Sequence, residues 1–332
     1  MWQGASMRID IIGAGSLGLL LAGRLISAGN EVRLWCRGRQ QVHELLRSGI
    51  NISYENEGTP IRMKSDLFHA GLVTEFTETY LREPGGCIVI TVKQNVLHHD
   101  LPGILQSLRN ERPSIVCFQN GVGHIELLQK LLPESNIYAA VTTEGAKRKT
   151  LTEVIHAGKG EVWIGKVPPE ASPGAPLMEP QNDIEVIHLL ETLSVAGFSA
   201  FLSNDMNTMI YRKLLINAVI NPLTALWRIP NGELLASEER IQVMRDLYNE
   251  AIAVYEACDI PYEADSWEVI AQVCRSTSGN TSSMLADVLA GRATEIRWIN
   301  GSLVEMGERS GLAVPLHRIM CRLVEGMIAE ER

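Results

Sequence analysis

The chain has 332 residues, of which 45% are hydrophobic and 21% are charged, and its formal net charge is −9 at pH 7. This length and composition predict a globular protein of two domains, each with its own apolar core. The acidic balance argues against nucleic-acid binding, and no apolar run approaches the ~18 residues of a membrane span. We therefore expect neither a nucleic-acid partner nor a membrane partner.

The six cysteines are widely spaced and form no CxxC pair, so the sequence predicts reduced thiols and no metal site. This usage is typical of a cytoplasmic protein. Residues 1–6 lack the charged and apolar regions of a secretory signal. We interpret them as a short leader, with Met7 as an alternative start.

The first predicted elements form a βαβ unit. Met7–Ile12 is typical of a buried strand, Leu17–Ala28 of a helix and Glu31–Trp35 of a second strand. Further short apolar runs lie at Gly86–Val92, Ile115–Phe118 and Ile137–Val141. The alternation of strands and helices predicts a mostly parallel sheet with helices on both faces.

Less regular segments complete the N-terminal half. Thr152–His156 and Glu161–Ile164 flank the glycine-containing segment 157–160, and this arrangement predicts a β-hairpin. Residues 167–182 are rich in proline and predict a surface excursion without regular structure. A last strand-like run spans Phe198–Leu202.

Helical periodicity dominates from about residue 210 onward. Lys213–Ala225, Glu238–Cys258 and Ser283–Arg309 space their apolar residues as amphipathic helices do. We place the domain boundary within 203–209. The sequence thus predicts the α/β class, with a Rossmann-like parallel-sheet domain over 1–206 and an all-α domain over 207–332.

A glycine-rich turn joins the first predicted strand to the first helix. Its sequence, GAGSLG at 13–18, is the GxGxxG pattern, and its place in a βαβ unit is typical of a dinucleotide site. In that pattern Gly13 permits a tight turn, Gly15 lets the backbone approach a pyrophosphate, and Gly18 lets the helix pack on the strand. The alternative is a glycine-rich turn that binds no ligand.

The end of the second predicted strand indicates which dinucleotide binds. An NAD site usually places Asp or Glu there for the ribose hydroxyl, but residues 33–39 contain no acid. Arg37 and Arg39 lie there instead and could bind a 2′-phosphate, so NADPH is favoured. The alternative is that both arginines are solvated loop charges.

Polar residues recur at every fourth position of an otherwise apolar helix. Lys213, Asn217 and Asn221 share one face at 3.6 residues per turn, which indicates a polar cleft wall. A partly desolvated lysine there could donate a proton near neutral pH. A surface stripe is the alternative. Pro222 predicts that the helix kinks or stops there.

Two later residues have plain interpretations from spacing alone. Ser283 fits the N-cap of the following predicted helix, and Glu295 fits a solvated helix charge.

Together these residues resemble the ketopantoate reductase family, over nearly the whole chain. The resemblance is most specific in RKLLINAVINPLTALWRIPNGEL at 212–234 and SSMLADVLAGRATEIRWINGSL at 282–303. Shorter motifs fall in the family's order: GAGSLG at 13–18, TVK at 91–93, QNGVG at 119–123 and TTEGA at 142–146.

The resemblance implies a Rossmann-like domain, a helical C-terminal domain and an active site between them. It implies NADPH-dependent reduction of 2-dehydropantoate to pantoate, on the route to pantothenate and coenzyme A. Lys213 is implied as the proton donor and Glu295 as a second catalytic residue near the cofactor. The implied substrate contacts are Asn120, Asn217, Asn221, Asn231 and Ser283. The implied cofactor contacts are Gly13, Ala14, Gly15, Ser16, Leu17, Gly18, Arg37, Lys93, Asn120, Ala146 and Glu295.

Other functions stay open at this point. A reductase of a different 2-keto acid fits the same framework, and a non-catalytic NADPH sensor is a second alternative. Lys213, Glu295 and the asparagine row argue against the sensor. The assembly state is also open, with a homodimer as one option.

Overall fold

The computed structural model of the chain describes residues 7–55, 58–168 and 184–328. The leader expected at 1–6 lies outside the described residues. So does the proline-rich stretch at 167–182, apart from its first two residues.

The chain forms two compact units. The first contains Met1–Gln119 and His124–Met206, and the second contains Asn120–Gly123 and Asn207–Arg332. The second unit therefore takes the C-terminal part of the chain and one short segment from the N-terminal part.

Strands and helices alternate in the first unit. Its described strands are β1 Arg8–Ile12, β2 Glu31–Cys36, β3 Ile50–Tyr54, β4 Ile61–Met63, β5 His69–Leu72, β6 Cys87–Ile90, β7 Ser114–Cys117, β8 Asn136–Thr142, β9 Gly145–Arg148, β10 Glu153–Gly158, β11 Glu161–Lys166 and β12 Ser199–Leu202. Its described helices are α1 Ser16–Ser27, α2 Arg39–Ser48, α3 Phe76–Arg82, α4 Gln94–His99, α5 Pro102–Gln106, α6 His124–Leu131 and α7 Ile184–Val195.

The main sheet is largely parallel, which confirms the predicted fold class. Among the described residues its strand order is β12-β11-β8-β7-β6-β1-β2-β5, and β8 with β11 is its antiparallel pair. The central strands β6 and β7 are buried at every residue. Continuous apolar runs of this kind form where helices cover both faces of a sheet. A second sheet, β4-β3-β10-β9, was not predicted.

The predicted hairpin between Thr152–His156 and Glu161–Ile164 is wrong. These two segments lie in β10 and β11, which belong to different sheets: β10 pairs antiparallel with β9, and β11 pairs antiparallel with β8. The chain reverses earlier, where Lys149 N donates a hydrogen bond of 2.9 Å to Glu153 O.

The glycine-containing segment 157–160 connects β10 of one sheet to β11 of the other. A Cβ on Gly160 would lie 2.4 Å from the carbonyl carbon of Thr143. The backbone of Glu161 bonds the Thr143 backbone at 3.0 Å in the same place. Glycine is therefore needed there for close approach of two strands, a requirement that resembles a turn signal in sequence.

A buried ion pair links the first two strands below the glycine turn. Asp10 and Arg33 are register partners on β1 and β2, and the guanidinium donates to the carboxylate at 2.8 and 2.6 Å. Trp35 Nε1 donates to the same carboxylate at 2.8 Å. Burial raises the pKa of Asp10, although Arg33 opposes this shift. These contacts neutralise and hydrogen-bond the Asp10 carboxylate inside the sheet, where an unpaired charge would destabilise the fold.

The second unit is helical. Its described elements are α8 Met206–Trp227, a 3₁₀ turn Asn231–Leu235, α9 Glu238–Ala257, α10 Ser266–Ser276, α11 Ser283–Leu289, α12 Ile296–Arg309 and α13 Pro315–Glu325. The apolar faces of these helices share one core. Within the described ranges, no helix combines the length and apolarity that crossing a bilayer requires.

The segment predicted as one helix over Ser283–Arg309 is two helices. α11 ends at Leu289, and Gly291 follows with a φ of +63°. The N–H of Arg292 then bonds Asp287 O at 2.9 Å, which closes the helix end. Both helices bury apolar residues in the same core. The spacing of apolar residues therefore continues through the break between them, and the sequence pattern does not reveal it.

Of the two outcomes predicted for Pro222, a kink or a stop, the stop is wrong. α8 continues to Trp227 with Pro222 inside it. Proline has no N–H to donate to the carbonyl four residues earlier, which is that of Ala218. The side chain of Asn300 supplies a donor instead, with its Nδ2 at 2.9 Å from Ala218 O. The missing backbone hydrogen bond is thus replaced from α12.

Candidate active site

The glycine turn between β1 and α1 has a backbone that only glycine adopts readily. Gly13 has a φ of +116°, and a Cβ there would lie 2.9 Å from both Thr91 Oγ1 and Val92 N. Thr91 Oγ1 donates to Gly13 O at 2.8 Å, and Gly13 N donates to Trp35 O at 2.9 Å. These bonds fix the turn against the neighbouring strands.

The other two glycines of the motif differ in their surroundings. A Cβ on Gly18 would meet Gly13 O at 1.8 Å, so this position packs directly on the turn. A Cβ on Gly15 would meet nothing within 4 Å. α1 begins at Ser16, and no side chain caps its N-terminus. The backbone at Gly15 is therefore open to a phosphate, and the helix N–H groups favour an anion there.

The second sheet contributes to the surroundings of this turn. Arg148 N, on β9, donates to Ser16 Oγ at 3.1 Å. Gln41 Nε2 donates to Ala14 O at 2.7 Å and to Leu151 O at 2.9 Å. Ala146 lies two residues before Arg148 on β9 and packs on the core of this unit. Sequence reasoning missed Gln41 and Arg148, because their contacts join segments far apart in the chain.

The remaining cofactor candidates lie at the ends of parallel strands. Arg37 and Arg39 are exposed and follow β2, whose last residue, Cys36, is buried. Lys93 follows β6 and stands at the N-cap position of α4. Carboxyl ends of parallel strands are where α/β sheets usually bind ligands.

The predicted polar row is present on α8 in the second unit. Asn217 is partly exposed and Asn221 is buried. Lys213 keeps some exposed surface as a residue, although protein atoms surround its ammonium group. Their neighbours Leu214, Ala218 and other residues of α8 lie in the core. The row is thus the polar face of a helix whose other residues are largely buried.

Lys213 titrates in an unusual environment. Burial lowers the pKa of its ammonium group to about 8, and attraction to Glu295 opposes this shift. A lysine with this pKa is charged at neutral pH and can still release a proton readily.

Glu295 stands at the N-cap position of α12, beside the segment 120–123. Asn120 Nδ2 donates to Glu295 Oε2 at 3.3 Å, and Val122 N donates to Trp298 O at 3.3 Å. Gly121 has a φ of +82°, and a Cβ there would lie 2.2 Å from Trp298 O. The structure therefore brings Asn120, Glu295 and Lys213 into one electrostatic cluster. The interpretation of Glu295 as a solvated helix charge is wrong.

The interpretation of Ser283 as an N-cap is wrong as well. Ser282 is the N-cap of α11, where its Oγ accepts from Leu285 N at 3.1 Å. The same hydroxyl lies 2.7 Å from Thr224 Oγ1 of α8. Ser283 is the first helical residue and is exposed. The contact of Ser282 with Thr224 brings the start of α11 close to the C-terminal end of the polar row.

Asn231 lies on the 3₁₀ turn and is buried. Its Nδ2 donates to Thr277 Oγ1 at 2.9 Å, and its Oδ1 has no hydrogen-bond partner among the described residues. Such an oxygen can accept a hydrogen bond from a ligand or from water. No group of three or more His, Cys, Asp or Glu within the described ranges could hold a metal ion.

These features define a class: a Rossmann-like α/β unit with an open glycine turn, followed by a helical unit that carries acid–base and amide groups. Two family models match the chain: "Ketopantoate reductase PanE/ApbA" over residues 9–169 and "Ketopantoate reductase PanE/ApbA C terminal" over residues 205–328. The chain belongs to the ketopantoate reductase family.

Individual relatives agree with this assignment. The 2-dehydropantoate 2-reductase of Archaeoglobus fulgidus is 31% identical, covering 96% of this chain and 97% of that protein. The Bacillus subtilis protein of the same name is 32% identical, covering 92% of each. A solved D-mandelate dehydrogenase with NADH and anilino(oxo)acetate superposes with a TM-score of 0.82 at 26% identity, covering 97% of this chain and 98% of the other.

We predict that two glycine substitutions in the turn have different effects. Gly18→Ala places a methyl group against Gly13 O, so we expect a loss of about 1–3 kcal/mol in unfolding free energy and a loss of dinucleotide binding. Gly15→Ala should keep the parent's stability and bind NADPH at least about tenfold more weakly, because the methyl group fills the open approach.

Melting temperature and a fluorescence titration with NADPH separate these effects. Gly103→Ala is the matched control. A Cβ at Gly103 also meets nothing within 4 Å, but Gly103 lies in α5, outside the glycine turn. Parent-like NADPH affinity in Gly15→Ala would show that the open backbone is not the dinucleotide site.

Proposed function

We propose that this protein reduces 2-dehydropantoate to pantoate with NADPH, as a step in the formation of pantothenate and coenzyme A. The observation that carries the proposal is Lys213, whose pKa is lowered to about 8 beside Glu295. The names of the relatives from Archaeoglobus fulgidus and Bacillus subtilis support the same reaction.

The first unit provides the residues that fit the cofactor. Gly13, Gly15 and Gly18 shape a turn with open backbone at the N-terminus of α1, which suits a pyrophosphate. Arg37, exposed after β2, suits a 2′-phosphate. Lys93 and Ala146 are the further cofactor contacts of this proposal. The bound nicotinamide supplies the hydride, and the chain supplies placement and electrostatics.

Lys213 acts as the proton donor. As the ketone carbon becomes tetrahedral, negative charge develops on its oxygen, and the ammonium group stabilises that charge and then transfers a proton from Nζ. Glu295 favours the charged form of Lys213 and so keeps it protonated near neutral pH. Asn120 holds the Glu295 carboxylate by its 3.3 Å hydrogen bond.

The amides of the second unit bind the keto acid. Asn217 and Asn221 lie on the same face of α8 as Lys213, and their amide groups can donate to the carboxylate and hydroxyl of the substrate. Asn231, with a buried Oδ1 available to a donor, and Ser283 at the start of α11 complete the set. Apolar side chains around these amides would accept the two methyl groups of the substrate.

The first prediction tests the substrate. A site that hydrogen-bonds a hydroxyl rejects an analogue lacking it more strongly than a site that only packs against a methyl group. We therefore expect kcat/KM to fall in the order 2-dehydropantoate, the analogue lacking one methyl, and the analogue lacking the hydroxyl. NADPH oxidation measures all three, with phenylglyoxylate as an aromatic 2-keto acid for comparison. If the hydroxyl-free acid or phenylglyoxylate is reduced best, the substrate is a different keto acid.

The second prediction concerns the choice of cofactor. An arginine bound to the 2′-phosphate should contribute about 1.5–2.8 kcal/mol, or about 10- to 100-fold in kcat/KM for NADPH over NADH. Arg37→Ala should reduce this preference. Arg47→Ala is the control, because Arg47 is exposed in the last turn of α2 and pairs with Glu44. Equal efficiency of the parent with NADH and NADPH would contradict the proposal.

The third prediction concerns the proton donor. Lys213 must be protonated to act, so kcat/KM should fall as the pH rises through about 8. Lys213→Ala should lower kcat by about 10²–10⁴-fold, remove this limb of the pH profile and keep NADPH binding. Arg212→Ala removes the adjacent, exposed cation and should keep both rate and profile. If kcat of the Lys213→Ala variant stays within a few-fold of that of the parent, another group donates the proton.

A further inference from the structure

Pro222 creates a local problem within the polar row of α8. In a regular helix the carbonyl of Ala218 would accept from the N–H of residue 222, but proline has none and its ring crowds that carbonyl. Ala218 directly follows Asn217, and Asn221 directly precedes the proline. The backbone that carries two of the amides in the row therefore lacks its own hydrogen bond at this point.

Asn300 of α12 provides the replacement. Its Nδ2 lies 2.9 Å from Ala218 O, and both residues are fully buried. The bond spans 82 positions of the sequence, so it joins α12 to α8 directly.

A second contact uses the other hydrogen of the Asn300 amide. Nδ2 also lies 2.8 Å from His317 Nδ1, and His317 Nε2 lies 3.0 Å from Leu247 O. A carbonyl oxygen only accepts, so Nε2 carries the proton of His317 and Nδ1 is an acceptor. Burial lowers the pKa of His317 to about 4, which keeps this neutral form at ordinary pH. Both hydrogens of the Asn300 amide therefore have acceptors, and one of them is donated to Ala218 O.

We propose that Asn300 is a positioning residue for the substrate amides of α8, through the hydrogen bond from its Nδ2 to Ala218 O. By holding this carbonyl in place it keeps α8 regular on both sides of Pro222. Asn217 and Asn221 then stay on the face that carries Lys213. This inference rests on the proposed reduction of a 2-keto acid.

A thermodynamic cycle between Asn300 and Pro222 tests the proposal. Asn300→Ala removes the donor, so KM for 2-dehydropantoate should rise at least about tenfold, equivalent to about 1.4 kcal/mol, with KM for NADPH unchanged. Pro222→Ala restores a backbone N–H to Ala218 O and should stay close to the parent. In Pro222→Ala/Asn300→Ala the backbone donor replaces the side chain, and most of the loss in KM should be recovered.

His317→Ala separates positioning from general stability. It removes the other partner of the Asn300 amide and leaves the bond to Ala218 O, so the melting temperature should fall while KM for the keto acid stays near that of the parent. If His317→Ala raises KM as much as Asn300→Ala does, or if the double variant recovers nothing, the proposal is overturned. Should Asn300→Ala fail to fold, Asn300→Ser takes its place, because its hydroxyl is too short to reach Ala218 O.

Hydrogen exchange tests, independently of activity, whether the bond from Asn300 to Ala218 O stabilises α8. Peptides covering 213–227 should exchange faster in Asn300→Ala and return to the parent's rate in the double variant. Unchanged exchange in Asn300→Ala overturns the inference even if the parent reduces 2-dehydropantoate. If the parent reduces no keto acid but the exchange pattern is as expected, the proposed function and the substrate role of Asn300 are overturned. The hydrogen bond from Asn300 would then still be shown to stabilise α8.

Discussion

The charge of Lys213 in the second unit depends on one electrostatic balance, between burial of its ammonium group and attraction from Glu295. Burial alone favours neutral lysine, and a nearby carboxylate favours the charged form. The result is a pKa of about 8, at which the group is charged at neutral pH yet close to releasing its proton. Asn120 bonds the carboxylate at 3.3 Å and so fixes one side of this balance.

That balance requires α8 to be a precise platform, because a small rotation would move Lys213 relative to Glu295. Pro222 lies about two and a half turns after Lys213 and deprives α8 of a hydrogen bond in its C-terminal half. Asn300, His317 and Leu247 form a buried chain of hydrogen bonds that makes up for this loss. α12 therefore holds α8 through Asn300, and Glu295 stands at the N-terminal end of the same α12.

The local sequence pattern predicted those features whose structural cause lies within one segment of the chain. The glycine turn, the buried strands and the row at Lys213, Asn217 and Asn221 each follow from spacing alone. Prediction failed where distant segments meet. Gly160 looked like a turn residue because glycine also permits a close approach, here to Thr143. The sequence predicted a kink or a stop at Pro222 because the donor that replaces the missing N–H, on Asn300, lies on another helix. The roles proposed for Glu295 and Ser283 rest on family resemblance and do not follow from periodicity.

The use of amides beside Lys213 follows from the same electrostatics. A carboxylate substrate could be bound by a second cation, but a like charge close to Lys213 would lower its pKa further and favour loss of the proton before reaction. Asparagine donates hydrogen bonds without adding charge, and its short side chain loses less conformational entropy than lysine or arginine would. In the proposed function, Asn217 and Asn221 can therefore bind an anion without opposing the attraction of Glu295, which raises the pKa of Lys213. Replacing either amide with a cation would therefore strengthen anion binding but lower the pKa of Lys213 further.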